Sequence, residues 1–309
     1  MAIQPFPVDA RLTAIALAYR NPDMAYIADE VLPRTPVDYR FKWLSYNRDQ
    51  MYATPDTRVG RKSVPNEVEF SATEVEDRVE DYGLDDLVPN EDIDADNQGV
   101  DPLGMATTGI MQLVRIGREI RVANKVFAAA TYPTGNKITL SGASQWSDAA
   151  SDPVAAIGDA LDVPIMRPNI GVFGQATWTK LRRNPKIVQA IKGTDQGAGM
   201  VSREEFAEFF ELQALYIGQG FANTAKKGQP AAISRIWGKH AAFIYRDRTA
   251  GPQAGMTYGF TGEFGSTIAG AIDEPKVGLT GSQRVRAGER LKEIVSAADV
   301  AYFFENAVS

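Results

Sequence analysis

The sequence predicts an α+β fold, and three observations carry the prediction. Short strand-like runs crowd the second half of the chain, at 170–173, 212–217, 232–237, 241–245, 256–260, 282–286, 292–295 and 300–304. Helical segments fall before and between the earlier of these. One segment, 101–131, keeps a helical period over its whole length. Elements interspersed in this way suit mixed or antiparallel sheets flanked by helices. A chain of 309 residues buries enough surface to fold without a metal or disulfide staple. Its 44% hydrophobic and 23% charged content is ordinary for a globular protein.

The N-terminal part reads as extended. Pro5, Pro7, Pro22, Pro33, Pro36, Pro55 and Pro65 each fix φ and remove a donor, leaving room only for short helices at 11–18 and 23–31. From Glu67 the pattern alternates, with Val68, Phe70 and Ala72 on one side and Glu67, Glu69 and Ser71 on the other, which is strand spacing for a half-exposed ribbon. Such an arm and hairpin have little apolar surface of their own to bury, so they pack on something else.

Residues 101–131 form the clearest element. Asp101 is a suitable N-cap, Pro102 suits the first helical position, and proline stops the run at Tyr132-Pro133. Leu103, Ala106, Ile110, Leu113, Gly117, Ile120, Ala123, Phe127 and Ala130 recur in steps of three and four and mark one face. Arg115, Arg118, Arg121 and Lys125 lie on another. The helix would be roughly 45 Å long at 1.5 Å per residue. Gly109 and Gly117 inside it each cost about 1 kcal/mol relative to alanine, which close approach by another backbone would offset.

Beyond it, 138–140 reads as a short strand, and Asp152-Pro153 opens a helix through Leu161. The run 170–173 reads as a buried strand, and 176–192 is helical but interrupted at Asn184-Pro185. The segment GTDQGAGM at 193–200 is a loop, and Ser202 with Glu205 is a capping box that opens a helix through Glu211. The remaining strands follow.

A search for chemistry excludes more than it finds. With no cysteine there is no disulfide scaffold, zinc-thiolate site, iron–sulfur cluster or cysteine nucleophile. One histidine, His240, cannot form a two-histidine metal motif, and a turn or strand histidine satisfied by backbone explains it better than a catalytic triad. Neither a phosphate-binding glycine loop nor a nucleophile elbow is present. The DIDAD run at 92–96 places Asp92, Asp94 and Asp96 like calcium ligands. It has Asn97 where glycine belongs and Leu103 where glutamate belongs, so no metal or cofactor is expected. The N-terminus lacks a cationic start and apolar core, and no run approaches 18 apolar residues, so neither a signal peptide nor a membrane span is expected. Together these favour a cytoplasmic protein with a structural role over an enzyme.

Charge is unevenly placed. Net charge is −6, yet residues 67–96 hold thirteen acids against one base, Arg78, while 34–62 hold seven bases against three acids. Two solvated faces explain this, and so do contacts between copies. On the second reading Arg58, Arg61 and Lys62 meet acids of a neighbour such as Glu74, Glu76 and Asp77. The Arg115, Arg118, Arg121 and Lys125 face is either simply solvated or turned to nucleic-acid phosphates without reading bases.

The order of parts resembles the major capsid (head) proteins of tailed bacteriophages, of the lambda-like and Mu-like kind with the Hong Kong 97-like fold. The resemblance is carried by DYGLDDLVP at 81–89, PLGMATTGIMQLVRIGREIRVANKVF at 102–127, QWSDAASDPVAAIGDAL at 145–161, RPNIGVFGQATWTKLRRNPKIVQAIK at 167–192, AAISRIWGKHAAFIYRD at 231–247 and AADVAYFFENAV at 297–308. No single motif is diagnostic; the series is. It implies an N-terminal arm at 1–35, an extended loop region at 36–98, and a peripheral domain at 99–147 built on a spine helix at 101–131. An axial domain at 148–285 and return strands of the peripheral domain at 286–309 complete the subunit. It further implies self-assembly into hexamers and pentamers of an icosahedral head enclosing double-stranded DNA, assembled in the host bacterial cytoplasm, with the basic helix face turned toward that DNA. Scaffolding would be a separate protein, because the chain starts close to the arm; a portal and an outer decoration protein are the further partners, and no membrane is. No lysine, asparagine and acid are marked for covalent crosslinking. A protein-nanocompartment shell subunit and a soluble hydrolase with a carboxylate pair stay open as alternatives.

Overall fold

The computed structural model describes residues 6–18, 26–46, 54–67, 72–95, 99, 101–193, 199–226, 228–252 and 255–309. Most of the alternation over 67–72, the start of the helix placed at 23–31, most of the 193–200 loop, and Asp96 and Asn97 lie outside them.

The proline-rich third is indeed built of short pieces. Helix α1 (Ala10–Ala18) opens where the Asp9 carboxylate accepts the N–H groups of Arg11 and Leu12 at 2.8 and 3.0 Å. Helix α2 (Ala28–Val31) is a single turn, and strand β1 (Arg34–Pro36) follows Pro33. Strands β2 (Arg40–Tyr46) and β3 (Ala72–Arg78) form an antiparallel ribbon with Arg40 opposite Arg78 and Tyr46 opposite Ala72. At its base Phe41 and Val79 pack with Phe260 and Ile294, whereas residues 54–67 are exposed throughout. Strand β4 (Glu80–Pro89) and helix α3 (Asn90–Asp94) lead to the long helix, α4 (Pro102–Val126).

That helix is shorter than the sequence suggests. Thr131 and Tyr132 turn back onto it, and their hydroxyls donate to the carbonyls of Lys125 and Val126 at 2.9 and 2.7 Å. These carbonyls have no partner within the helix, so the following turn satisfies and ends it. At the other end the Asp101 carboxylate makes no capping bond and instead faces Arg11 at 3.4 Å. Among the described residues no other backbone approaches Gly109 or Gly117: none lies within 4 Å of a Cβ built on Gly109, and only the Arg121 side chain does so at Gly117.

Strand β5 (Lys137–Thr139) follows, then helix α5 (Pro153–Asp162), strand β6 (Ile170–Gly174) and helices α6 (Gln175–Leu181), α7 (Pro185–Lys192) and α8 (Arg203–Phe209). Three of these starts are capped by the residues that the sequence marks. Asp152 accepts from Ala155 N–H at 3.2 Å, Asn184 accepts from Lys186 N–H at 3.0 Å, and Ser202 and Glu205 bond each other's backbone N–H at 3.2 and 2.9 Å. The chain closes with strands β7 (Ala214–Gly218), β8 (Phe221–Asn223), β9 (Ile233–Arg235), β10 (Ala241–Ile244), β11 (Gly259–Glu263), β12 (Ile268–Glu274), β13 (Ser282–Val295) and β14 (Ala301–Glu305).

Two five-stranded sheets organise these parts. In the first, β13 pairs antiparallel with β4 along one edge and with β12 and then β11 along the other, and β1 runs parallel to β11. Val285, Ala287 and Leu291 alternate along β13 and are buried, as period-two burial requires. Val285 and Ala287 pack with α1 and the first half of α4 through Leu12, Ala16, Ile110, Met111 and Val114. The second sheet runs β5-β14-β10-β6-β7. Every residue of β6 and β10 is buried, as continuous apolar runs predict for strands covered on both faces. One face packs Trp146, Trp178, Phe206 and Phe304 against helices α5–α8. The other packs Val172, Ile244 and Phe303 against α2 and the second half of α4.

Strands β11 and β12 and the start of β13, which the sequence reading assigns to the 148–285 part, share the first sheet, on which the long helix packs. Conversely β14, placed by sequence with the 99–147 and 286–309 parts, joins the sheet of β6, β7 and β10. The alternation Phe303/Phe304 is the physical reason: it sends one ring into each core on either side of that sheet.

Candidate assembly surfaces

The bases of the long helix do not form a solvated face. The side chain of Arg118 is 3% exposed; it pairs with Asp29 and donates to Leu32 O and Thr261 Oγ1 at 3.4 and 3.2 Å. Arg121 pairs with the buried Glu293 carboxylate at 2.8 Å and lies 3.5 Å over the Tyr82 ring. Lys125 Nζ donates to the Glu293 carbonyl, and Arg115 is half-buried. Arg118, Arg121 and Lys125 therefore do not present a solvated face to DNA: they turn toward the buried Glu293 of β13 and toward Asp29 of α2, whose own side chain stays 59% exposed. The outward face is instead uncharged: Met105 is 63% and Leu113 57% exposed, with Gly109 between them.

Next to Arg118, Glu119 is buried and was not singled out by sequence. Its oxygens accept from Ile27 N–H at 2.8 Å, Ala28 N–H at 3.0 Å and Trp237 Nε1–H at 2.6 Å. Burial raises its pKa, and the three donors oppose that shift without cancelling it. Burial also works against ionised Asp29, but the Arg118 and Arg34 guanidiniums outweigh it and hold that carboxyl below its ordinary value. Ile27 and Ala28 lie some 90 positions from Glu119, Asp29 lies 89 from Arg118, and Trp237 lies 118 from Glu119, so no local pattern could have flagged these pairs.

Part of the charge split is resolved inside the subunit. The β4–β13 register sets Asp85 opposite Arg286 and Asp81 opposite Arg290. Arg286 grips Asp85 with two bonds of 2.6 and 2.7 Å, and Lys292 reaches Glu80 at 2.7 Å. Asp85 and Glu80 are both held below the ordinary carboxylate range, chiefly by the hydrogen bonds from Arg286 and Lys292. Of the acids proposed to face a neighbour, Glu74 pairs with Lys42 at 2.6 Å and Asp77 with Lys292 at 3.5 Å within the chain, while Glu76 lies beside them on β3. Arg58, Arg61 and Lys62 are different. They sit in the exposed 54–67 segment and make no ion pair among the described residues. Nor do Glu91, Asp92 and Asp94 of α3.

Elsewhere the geometry does not converge on chemistry. His240 Nδ1 accepts the Asn306 backbone N–H at 3.0 Å, its ring lies against Phe127 and Phe303, and burial lowers its pKa. A cavity of about 230 Å³ beneath the ribbon base has Asp299 as its single ionisable lining residue among the described ones, and an open cavity of about 390 Å³ beside α3 is lined by Asp94, Asp273 and Glu274. Among the described residues no group of three potential metal ligands is found, and no helix is long and apolar enough to cross a membrane.

Comparison with known proteins agrees with this picture of a structural subunit. Residues 128–233 match the family model described as phage major capsid protein E. The major capsid protein of Pseudomonas phage JBD67 is 52% identical over 310 residues, covering 100% of both chains. That of Burkholderia phage BcepMu is 26% identical, over 81% of this chain and 80% of its own. Among solved structures, a phage-related protein from Bordetella bronchiseptica superposes with a TM-score of 0.75 at 18% identity, covering 98% of this chain and 99% of that one. The capsid of cyanophage P-SCSP1u gives a TM-score of 0.58 at 11% identity, covering 93% and 89%. These likenesses establish the Hong Kong 97-like fold, and a full-length relative sharing half its residues establishes more: this chain belongs to the phage major capsid proteins, and its role is that of a structural component of the virion.

Proposed function

We propose that copies of this chain close into an icosahedral head of hexamers and pentamers around double-stranded DNA, assembled in the host cytoplasm with separately encoded scaffolding and portal proteins. One observation carries the reading: residues 54–67, at the far end of the β2–β3 ribbon, are exposed throughout and have no core of their own. A segment of that length held away from its own subunit suits a surface on another copy, and closed symmetry multiplies many moderate contacts. On this reading the ribbon is the extended loop. The first sheet with α4 is the peripheral unit, and the second sheet with α5–α8 is the axial unit. Contact with DNA does not run through the long helix, because phosphate binding needs solvated bases that it lacks. The bases Arg58, Arg61 and Lys62 find their acids on a neighbour, among those left unpaired, of which Glu91, Asp92 and Asp94 are examples.

Electron microscopy with light scattering, on the chain expressed with and without its scaffolding partner, tests the assembly. Closed shells, tubes, or rings of five or six are expected. A chain that stays monomeric with that partner present defeats the reading, and shells filled with enzyme rather than DNA in infected cells would move it to a nanocompartment.

A further inference from the structure

We propose that the β8–β9 ribbon holds the phosphate backbone of duplex DNA through Lys226, Arg235 and Lys239. The sequence sets this stretch apart. Between Glu211 and Asp247 there is no acid, and there are five bases: Lys226, Lys227, Arg235, Lys239 and Arg246. The chain as a whole is −6, but a screening length of about 8 Å lets a local surface act by its own charge. Arg246 is engaged inside the subunit, 7% exposed and paired with Glu30. The ribbon bases are not. Lys226, Arg235 and Lys239 are exposed and make no ion pair among the described residues. Glu305 of β14 acts on His240, next to Lys239, and accepts a bond from Thr139 Oγ1 at 2.6 Å.

The ribbon is a fixed platform. Trp237 sets its base; that ring is fully buried and packs over Gly218 at the end of β7. Phe221 stands opposite Arg235 and Asn223 opposite Ile233, and Ile236 N–H donates to Gly220 O at 3.0 Å. At the neck of the loop, Asn223 Oδ1 accepts from both Ala225 N–H and Ala232 N–H at 3.0 Å, and Thr224 N–H donates to Ala232 O at 2.9 Å. Gln229 N–H donates to the Lys226 carbonyl at 3.0 Å, so that lysine stands on a closed turn. The Arg235 guanidinium lies 4.5 Å over the Phe221 ring and gives one long bond, of 3.4 Å, to Gln219 O. Its planar fork is thereby held in place, with most of its N–H groups left for an acceptor.

The arrangement selects the ligand. Lys226 lies at the tip, Arg235 on the paired strands, and Lys239 two residues beyond Trp237. Bases spread along a ribbon do not converge on one point, so a small anion gains one of them and a polyanion of repeated charges gains all three. Protein partners are held instead by buried aromatic or aliphatic anchors. The loop at 224–232 offers none, being built of Thr, Ala, Lys, Gly, Gln and Pro, and the Phe221 ring is taken by Arg235. Ile233, 70% exposed, is the large apolar side chain that the two strands leave open. The long helix has its bases buried or paired, so the ribbon supplies the solvated charge that phosphate contact needs. That the DNA is packaged DNA rests on the capsid reading.

Fluorescence anisotropy of a labelled DNA duplex with the full chain, before assembly, reads the contact across a salt series. Each neutralised phosphate adds about 0.9 to the slope of log affinity against log salt, so three give about 2.7, or roughly a 40-fold loss between about 50 and 200 mM salt. Arg235→Gln should lower the slope by about 0.9, and Arg235→Lys should keep it. Lys226→Gln, Arg235→Gln and Lys239→Gln together should abolish it while the thermal midpoint stays in place, because exposed charges add little to stability. A parent chain with no salt-dependent binding overturns the proposal, and so does a triple variant that binds like the parent. A loss that follows removal of Arg58, Arg61 and Lys62 instead overturns the assignment to the ribbon. A polyglutamate of equal charge that binds more tightly than the duplex assigns the ribbon to an acidic protein segment and overturns it too. In heads from infected cells, Lys226 and Lys239 should react less with an amine reagent when DNA fills the head than when it is empty; equal reaction overturns contact with packaged DNA. Heads that never form overturn the capsid reading instead, and the anisotropy still decides the ribbon.

Discussion

Glu119 concentrates what is strongest in this subunit at the scale of one residue. Three donors converge on its two oxygens, in a place that water does not reach. Glu119→Gln keeps the shape but replaces an oxygen with an N–H donor, so whichever way the amide turns, at least one buried N–H loses its acceptor. Urea unfolding at neutral pH should show a loss of about 1–3 kcal/mol, the cost of an orphaned buried donor. The pH dependence separates Glu119 from its neighbours. A carboxyl whose folded pKa is raised costs stability above that value, and the cost disappears as pH falls through it. Asp29, Glu80 and Asp85 are lowered, so their contribution is complete above the ordinary carboxylate value near 4 and is lost as pH falls through their depressed values. Glu205 and Asp247 are lowered as well, so five lowered carboxyls against one raised give a net loss on the acid side. The urea midpoint should therefore drop below about pH 4, and Asp85→Asn should make that drop shallower. Residues that act locally were legible in advance: Asp152, Ser202 and Glu205 cap helices a few positions away, while Asn184, read only as an interruption before Pro185, turns out to cap one too. Asp101 stands at the N-cap with Pro102 first in the helix, as the sequence marks, but its carboxylate turns to Arg11, some 90 residues earlier, instead of bonding the backbone.

At the scale of the element, the long helix was legible and its orientation was not. Apolar or small residues occur on more than one of its faces, so spacing alone could not say which face is inside. Glu293 and Asp29 decide it by drawing in Arg121 and Arg118, and the stripe through Met105, Gly109 and Leu113 is left outside. Two glycines test this arrangement with opposite signs. With no other described residue within 4 Å of its added methyl, Gly109→Ala gains helix propensity at no steric cost and should stabilise the isolated subunit by up to about 1 kcal/mol. In β7, a Cβ on Gly218 would stand 2.0 Å from the Trp237 ring, so Gly218→Ala should cost about 1–3 kcal/mol as overpacking. Thermal unfolding of the two variants beside the parent checks both; destabilisation by Gly109→Ala would mean that the helix face is not free in the subunit. The acidic ribbon was legible as charge but not as pairing, because the bases that neutralise β4 lie some 200 residues later, on β13.

The whole molecule turns on which charges remain once the subunit has satisfied its own. The sequence divides into a basic stretch and an acidic stretch, and that division alone suggested pairing between copies. Folding removes part of it: Asp85, Asp81 and Glu80 face Arg286, Arg290 and Lys292 across one strand pair, and Glu74 and Asp77 have partners too. Domain boundaries were blurred for the same reason, since β13 and β14 return to sheets begun far upstream and no composition change marks the exchange. Arg58, Arg61 and Lys62 survive this reduction, exposed and away from any core. Reversing all three to glutamate should therefore leave the thermal midpoint of the subunit unchanged, since solvated charges away from a partner contribute little. Assembly should respond differently. If these bases meet the acids of a neighbour, each lost attraction becomes a repulsion at every repeated contact of the shell, and small terms multiplied by symmetry decide closure. Shell yield followed by light scattering across a salt series reads this directly: the reversed variant should fail to close at low salt and recover partly as salt screens the repulsion. Normal shells with unaltered salt tolerance would place the pairing elsewhere on the subunit.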